Sequence, residues 1–185
     1  MQPIDFMAFA GDCTITGKMT MFGERLTDFL NGQGRFLVHH VDLESLEDGH
    51  KVSVDSISLE RTDLLAVVAT GPRGAQKQRV EVQTNRLQVS VGPYLILGRL
   101  HTRPGTDAMQ SVLRREPMVP LTNVTIAYEQ AGTFTTRDVG AIIVNRTLVE
   151  WISPTSDAAT MFPDVTVRSP FAARMLKDFT GMPSA

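Results

Sequence analysis

The sequence predicts a mainly β, α+β protein built from two tandem copies of one unit. Two glycine pairs, Gly11 with Gly17 and Gly92 with Gly98, have the same internal spacing and lie 81 residues apart. Most apolar residues alternate with polar ones, as in half-buried strands, and a helix-type spacing occurs once in each copy. A repeat of this kind decides the architecture, so it is the first feature that the prediction uses.

A second anchor lies near the end of each copy. Leu59–Thr62 overlays Val144–Thr147 at an offset of 85 residues, which places Arg61 and Arg146 at equivalent positions. We expect a structural role for both arginines, holding a strand end or pairing with a carboxylate. The predicted divisions are repeat one at 1–70, a connector at 71–85, repeat two at 86–152 and a C-terminal tail at 153–185.

Repeat one is predicted to be a strand–helix–strand–strand–strand unit. Alternation over 13–21 predicts a strand, and the three- and four-residue apolar spacing over 24–31 predicts a short helix. A parity slip at His39–His40 within the next strand, 36–46, predicts a β-bulge. Asp48-Gly49 predicts the hairpin turn that follows. The last two strands of this copy are predicted at 52–59 and 63–69.

Repeat two is predicted to contain the same elements in the same order. An edge strand at 80–83 is predicted to turn at Asn85-Arg86 into 87–91. Thr106 or Asp107 is the predicted cap of the second helix, which Pro117 stops. The other predicted elements of this copy are a strand at 94–100, the helix at 108–115 and strands at 118–128, 134–144 and 148–152.

The expected assembly of these units is a pseudo-twofold pair. Each copy has about 65 residues, near the lower limit for an independent core, so the copies are expected to share one. Short twisted strands suit a small barrel or a curved antiparallel sheet. In the tail, Ser169-Pro170 has the cap and first-turn residues of a helix, which we expect to cover one end of the sheet.

Composition indicates a globular, cytoplasmic protein without a membrane partner. The N-terminus lacks the basic and apolar regions of a secretory signal, and no apolar run is long enough to span a bilayer. The single cysteine, Cys13, excludes an intrachain disulfide and is expected to be a small buried apolar residue rather than a nucleophile.

Charge is divided unevenly between the two copies. Residues 1–70 hold five Lys/Arg and eleven Asp/Glu, a net charge of −6, whereas residues 71–152 hold ten and six, a net charge of +4. Opposite charge favours docking of the copies or head-to-tail association of chains. Drift of solvated surface charge after duplication explains the same numbers.

Residues that carry catalysis or bind metal are sparse. Adjacent His39 and His40 point to opposite faces of a strand, and no phosphate-binding loop or nucleophile motif occurs, so no metal or cofactor is predicted. The basic residues of repeat two form a candidate anion- or partner-binding patch at the start of the second helix, together with the backbone amides of Gly105-Thr106-Asp107. Ordinary solvated arginine is the alternative. The candidate residues are Arg99, His101, Arg103, Arg114 and Arg115.

The repeated positions are mainly glycine and apolar residues, as a scaffold requires, and the reactive residues are not repeated. We therefore expect a non-enzymatic binding or scaffold protein that forms a homo-oligomer or binds a protein partner through its duplicated β units. The alternatives are a nucleic-acid or anionic-ligand binder that uses the basic second repeat, and an enzyme with a site between the repeats. Few aromatic residues lie in the basic region, which disfavours base stacking.

Overall fold

The computed structural model describes residues 2–21, 25–71 and 82–155. Over these residues the protein is mainly β, with two short helices and two 3-10 turns. The strands are β1 (Gln2–Phe9), β2 (Cys13–Met21), β3 (Arg35–Ser45), β4 (Lys51–Glu60), β5 (Ala66–Val68), β6 (Gln83–Val91), β7 (Tyr94–Thr102), β8 (Met118–Gln130), β9 (Thr133–Asn145) and β10 (Trp151–Pro154). The helices are α1 (Leu26–Gly32) and α2 (Ala108–Arg114), and the 3-10 turns are Arg61–Asp63 and Arg146–Leu148.

The strands form one antiparallel sheet in the order β10-β6-β7-β8-β9-β5-β1-β2-β3-β4. Half one, residues 2–71, contributes β5-β1-β2-β3-β4, and half two, residues 82–155, contributes β10-β6-β7-β8-β9. The halves meet where the three residues of β5 pair with residues 142–144 of β9. The antiparallel sheet was predicted, but the barrel was not confirmed, because β10 and β4 each have one neighbour among the described strands.

Each half contains one strand more than the predicted strand–helix–strand–strand–strand unit, because two strands precede its helix. In half two the additional strand, β6, includes the strand predicted at 87–91. β1 and β2 form a hairpin, as do β6 and β7. The turn predicted at Asn85-Arg86 is absent, and β6 starts inside the predicted connector. Asn85 stays in the ladder opposite Leu100, and its side-chain amide donates to Thr102 Oγ1 at 2.9 Å. The predicted tail helix lies outside the described residues, as do residues 80 and 81 of the edge strand predicted at 80–83.

The bulge predicted at His39–His40 is confirmed. The register between β2 and β3 shifts between Thr16 and Lys18, and His40 has a positive φ of 50°. Half two has a matching shift between Leu97 and Arg99 of β7, where Asn123 of β8 has a φ of 49°. One extra residue on the bulged strand bends it and increases its twist.

A glycine faces each bulge, and the close approach of the neighbouring strand explains why. A Cβ at Gly17 would lie 2.8 Å from Val38 Cγ1 and 2.9 Å from the carbonyl oxygen of His39. A Cβ at Gly98 would lie 2.9 Å from Val124 Cγ2. The paired glycines that are visible in the sequence therefore serve close strand packing.

Two apolar clusters lie on opposite faces of the sheet at the junction of the halves. Ala66 belongs to one cluster and Val67 to the other, as do Ile142 and Ile143. Successive strand residues point to opposite faces, so β5 and β9 contribute to both clusters. The cluster formed mainly by half two also contains Phe9 of half one. Neither cluster is therefore built from one half alone.

Two asparagines join the halves by hydrogen bonds. Asn145 is buried at the end of β9, and its side-chain amide donates to the carbonyl oxygens of Arg61 at 3.2 Å and Leu64 at 3.1 Å. The side chain of Asn31 bonds both backbone groups of Met118, at 2.9 and 3.1 Å. Met118 lies opposite Asn145 in the β8–β9 ladder, so both contacts join the halves at the same end of the β5–β9 pairing.

Arg61 and Arg146 have a structural role, but each contacts a backbone carbonyl oxygen rather than a carboxylate. The guanidinium of Arg61 donates to the carbonyl oxygen of Asn31 in α1 at 3.1 Å. The guanidinium of Arg146 donates to the carbonyl oxygen of Arg115, just after α2, at 2.7 Å. Each arginine therefore satisfies a carbonyl at the C-terminal end of its own helix, where free carbonyls remain.

Candidate interaction surfaces

The free edge strand β4 is the most exposed strand surface of the described chain. Residues 51–56 are exposed on both faces of the strand, including Val52 at 46% and Val54 at 38%. An alternating strand ordinarily buries one of its faces. This exposed segment of β4, residues 51–56, is called the open edge below.

The backbone of the open edge is directed to solvent on its outer side. The N–H of Glu60 is bonded by the Asp63 carboxylate at 2.9 Å rather than by β3. Alternate residues of a strand direct their N–H and C=O groups to the same side. The N–H of Ser45 in β3 donates to the carbonyl oxygen of His50 at 2.9 Å, and the register continues unbroken to Val41 opposite Val54. The N–H groups of Val52 and Val54 therefore face β3, and those of Lys51, Ser53 and Asp55 face outward. This outer side is available to a further strand.

Charged side chains lie at both ends of β4. Glu60 forms an ion pair with Arg35, and the hydrogen bond from this guanidinium lowers the pKa of the Glu60 carboxyl. Lys51 lies 3.4 Å from Glu44. An open groove between β3 and β4 carries Asp42 and Asp55 on its walls. Its polar, open form differs from the enclosed apolar pocket that a small ligand requires.

The opposite edge of the sheet is the short strand β10. It pairs with β6 alone, and Pro154 at its end has no N–H to offer. Two buried donors near this edge, Gln88 Nε2 and Trp151 Nε1, have no hydrogen-bond partner within the described part of the chain. Because buried polar groups are ordinarily satisfied, the described residues alone leave the hydrogen bonding of this edge incomplete.

Two of the five predicted binding residues, His101 and Arg115, make contacts within the fold and do not form a binding site. The guanidinium of Arg115 donates to the carbonyl oxygen of His101, and burial lowers its pKa. The ring Nε2 of His101 shares a 2.7 Å hydrogen bond with Thr122 Oγ1. These contacts attach the end of α2 to β7.

The other three predicted residues, Arg99, Arg103 and Arg114, are exposed. Arg99 lies directly opposite Arg86 in the β6–β7 ladder, so two like charges share one face. The anion site predicted at the start of α2 is occupied by the protein itself. The Asp107 carboxylate accepts the N–H of Gln110 at 2.8 Å and caps the helix.

Cys13 is not activated as a nucleophile. It is half-buried on β2, and burial, followed by the charge of Asp12, raises the pKa of its thiol to about 11. The thiol is therefore protonated at neutral pH, whereas the thiolate is the reactive form. Among the described residues, no three His, Cys, Asp or Glu side chains are grouped to hold a metal ion.

The sequence prediction placed a strand at 52–59 but missed that it forms the edge of the sheet. The signal was available in the mixture of serines and charges that accompanies the valines, since edge strands carry such residues on both faces. Among the described helices, none combines the length and apolarity needed to cross a membrane. No protein-family model, curated protein or solved structure matches the chain.

Proposed function

We propose that the chain is a non-enzymatic binding or scaffold protein built from two copies of one β unit, which associates with itself or with a protein partner through its sheet edges. The observation that carries this proposal is the open edge. A strand that is exposed on both faces, with valines and outward N–H groups, offers main-chain hydrogen bonds and apolar contact to an added strand.

Duplication of the unit is supported by hydrogen bonds that recur at equivalent positions. The N–H of Arg61 donates to the carbonyl oxygen of Gly34 at 2.9 Å, and that of Arg146 donates to Pro117 at 2.8 Å. The matched strand order, bulges, glycines and arginine contacts agree with these bonds. Two copies of one ancestral unit explain all of these matches at once.

A binding role is also supported by the chemistry of the described residues. The cysteine is protonated at neutral pH, and the half-buried histidine bonds a threonine hydroxyl. The conspicuous surface feature is instead an unpaired strand edge. Natural proteins shorten or cover such edges unless they use them.

The test compares Ser53→Pro with Ser53→Thr in the full chain. Proline removes the outward N–H of Ser53, whereas threonine keeps this donor and the hydroxyl. Light scattering after size exclusion, over a range of protein concentration and salt, measures self-association, and a bound-partner assay measures capture of another protein. We expect Ser53→Pro to reduce association and Ser53→Thr to retain most of it. A chain that is monomeric under every condition and binds no partner would falsify the proposal.

A second candidate function, binding of an anionic ligand, is favoured by two exposed arginines near the end of β7, Arg99 within the strand and Arg103 directly after it. Guanidinium groups bind phosphate and carboxylate groups through charge-assisted hydrogen bonds. Binding of single-stranded DNA should weaken steeply with salt and fall further in Arg99→Gln. If no binding occurs even at low salt, this candidate is ruled out.

A further inference from the structure

We propose that the two free edges of the sheet are complementary, so that β4 of one copy pairs antiparallel with β10 of a second copy, head to tail. The occupant of the β4 edge is therefore another molecule of this chain. This inference rests on the duplication in the proposed function and identifies the partner. The pairing would reproduce between molecules the β9–β5 junction that already exists within each one.

The equivalence of the two junctions follows from the strand order. β4 holds the place in half one that β9 holds in half two, and β10 holds the place of β5. The N–H of Leu65, before β5, donates to Phe9 at 2.9 Å, and that of Glu150, before β10, donates to Ser90 at 2.9 Å. The sheet therefore ends in the same two kinds of edge that meet at its centre.

The internal register predicts the intermolecular one. Within the chain, Ala66 pairs with Val144 and Val67 with Ile143. Adding the 85-residue offset to the residues of β5 gives their equivalents in β10, and subtracting it from the residues of β9 gives their equivalents in β4. The predicted contacts are Trp151 with Leu59, Ile152 with Ser58 and Ser153 with Ile57.

Much of the apolar character of the junction is retained at the free edges. All six residues of the internal pairs are apolar, and four of the six counterparts remain so, namely Ile57, Leu59, Trp151 and Ile152. The helices add a further apolar contact. The buried positions of α1 and α2 align Asn31 with Leu113, which is 62% exposed. Asn31 bonds half two internally, so Leu113 is expected to contact the second copy.

Charge complementarity favours the same arrangement. The internal junction joins the basic half two to the acidic half one, which have net charges of +2 for residues 82–155 and −6 for residues 2–71. In a head-to-tail pair, β4 of the acidic half meets β10 of the basic half. Every junction of the assembly then joins opposite charges. A head-to-head pair of β4 strands would instead bring two acidic halves together.

Two residue differences between half one and half two weaken the β4–β10 contact. Asn145, whose amide donates across the internal junction, corresponds to Glu60, and an ionised carboxylate cannot donate. Leu148 corresponds to Asp63, whose carboxylate occupies the Glu60 N–H. The N–H of Asn145 is free of such a contact and bonds the carbonyl oxygen of Leu65 at 2.9 Å. Glu60 and Asp63 together disfavour the pairing of a further strand with β4.

The test restores the internal junction at the free edge with the double variant Glu60→Asn/Asp63→Leu. Analytical ultracentrifugation of the full chain should show self-association at least about tenfold tighter than in the wild type, because two donors become available to the second copy. The control Glu60→Ala/Asp63→Ala removes both carboxylates and the Arg35 ion pair without supplying the amide. Its self-association should be tighter than that of the wild type and weaker than that of the double variant. A double variant that associates no more tightly than the wild type overturns the inference.

Cross-linking tests the register independently. Ser58→Cys and Ile152→Cys are placed in separate molecules that also carry Cys13→Ser, and the mixture is oxidised. We expect a disulfide-linked dimer that contains one molecule of each type, since directly opposite residues approach closely enough to link. Ser56→Cys mixed with Ile152→Cys should link much less. Equal linkage in both mixtures, or linkage of Ser58→Cys with itself alone, contradicts the head-to-tail register.

The two proposals fail in different ways. A monomeric wild type whose double variant assembles supports the head-to-tail inference and removes the self-association part of the proposed function. A wild type whose association is reduced by Ser53→Pro, with no gain in the double variant and no selective cross-link, keeps the proposed function and overturns the inference.

Discussion

The side-chain amide of Asn145 donates to the carbonyl oxygen of Leu64 across 3.1 Å, and this buried hydrogen bond joins the last residue of β9 to the segment that leads into β5. The same amide donates to Arg61, so one side chain satisfies two carbonyl groups of the opposite half. This contact lies beside the three ladder pairs through which the strands of the two halves meet.

Asn145→Ala is therefore expected to destabilise the whole chain. It removes the side-chain donor of the Leu64 carbonyl oxygen and one of the two donors of the Arg61 carbonyl oxygen, which also accepts from the N–H of Leu64. We expect a loss of about 1–3 kcal/mol in the free energy of unfolding. Denaturation by urea, followed by circular dichroism, measures the change. Asn85→Ala is the control, since its half-buried side-chain bond to Thr102 should cost about 1 kcal/mol or less. Equal losses in the two variants would refute the special role of Asn145.

The glycines that face the two bulges should respond alike to substitution. Gly17→Ala and Gly98→Ala each place a Cβ within 3 Å of the neighbouring strand, so we expect each to lose about 1–3 kcal/mol of stability. Gly140→Ala provides a matched control in β9, where a Cβ meets nothing within 4 Å. It should be neutral or stabilising by less than about 1 kcal/mol. Thermal unfolding of the three variants gives the comparison, and a costly Gly140→Ala would contradict this explanation.

Features that depend on neighbouring residues were predictable from the sequence. The parity slip at His39–His40 indicated the bulge, and the apolar spacing placed both helices within a few residues of their bounds. These signals are local, because the periodicity of a segment reports the side that it buries. The turn predicted at Asn85-Arg86 was wrong. Asn85 is a residue type common in turns, but here it stays in the ladder, where its side chain bonds Thr102.

The contacts between the halves could not be predicted in the same way. β5 has three residues, and its partner in β9 lies more than seventy residues away. No local pattern distinguishes Asn145, which joins the halves, from an exposed asparagine such as Asn123. The candidate site depended on the same information, because strand 52–59 becomes an open edge only once the order of the sheet is known.

The thiol of Cys13 should make stability depend on alkaline pH. Its folded pKa of about 11 lies above the ordinary value of 9.0. Between these values the unfolded chain has released the thiol proton and the folded chain retains it, so the free energy of unfolding falls as pH rises. Urea midpoints at pH 8 and pH 10 should differ more in the wild type than in Cys13→Ser. An identical pH dependence in both proteins would exclude a contribution from this thiol.

Neither half should fold alone, because each apolar cluster contains side chains of the other half. Phe9 contacts the rings of Tyr94 and Tyr128, with centroids 5.2 and 5.9 Å apart, and Met118 and Ile143 belong to the cluster formed mainly by half one. Separation therefore exposes apolar surface in both fragments. Residues 1–71 and 82–185, expressed apart, should show no cooperative unfolding by circular dichroism. Mixed in equal amounts, they should recover a cooperative transition, since the junction is formed by non-covalent contacts. Cooperative unfolding of an isolated half would show that its core is complete without the other.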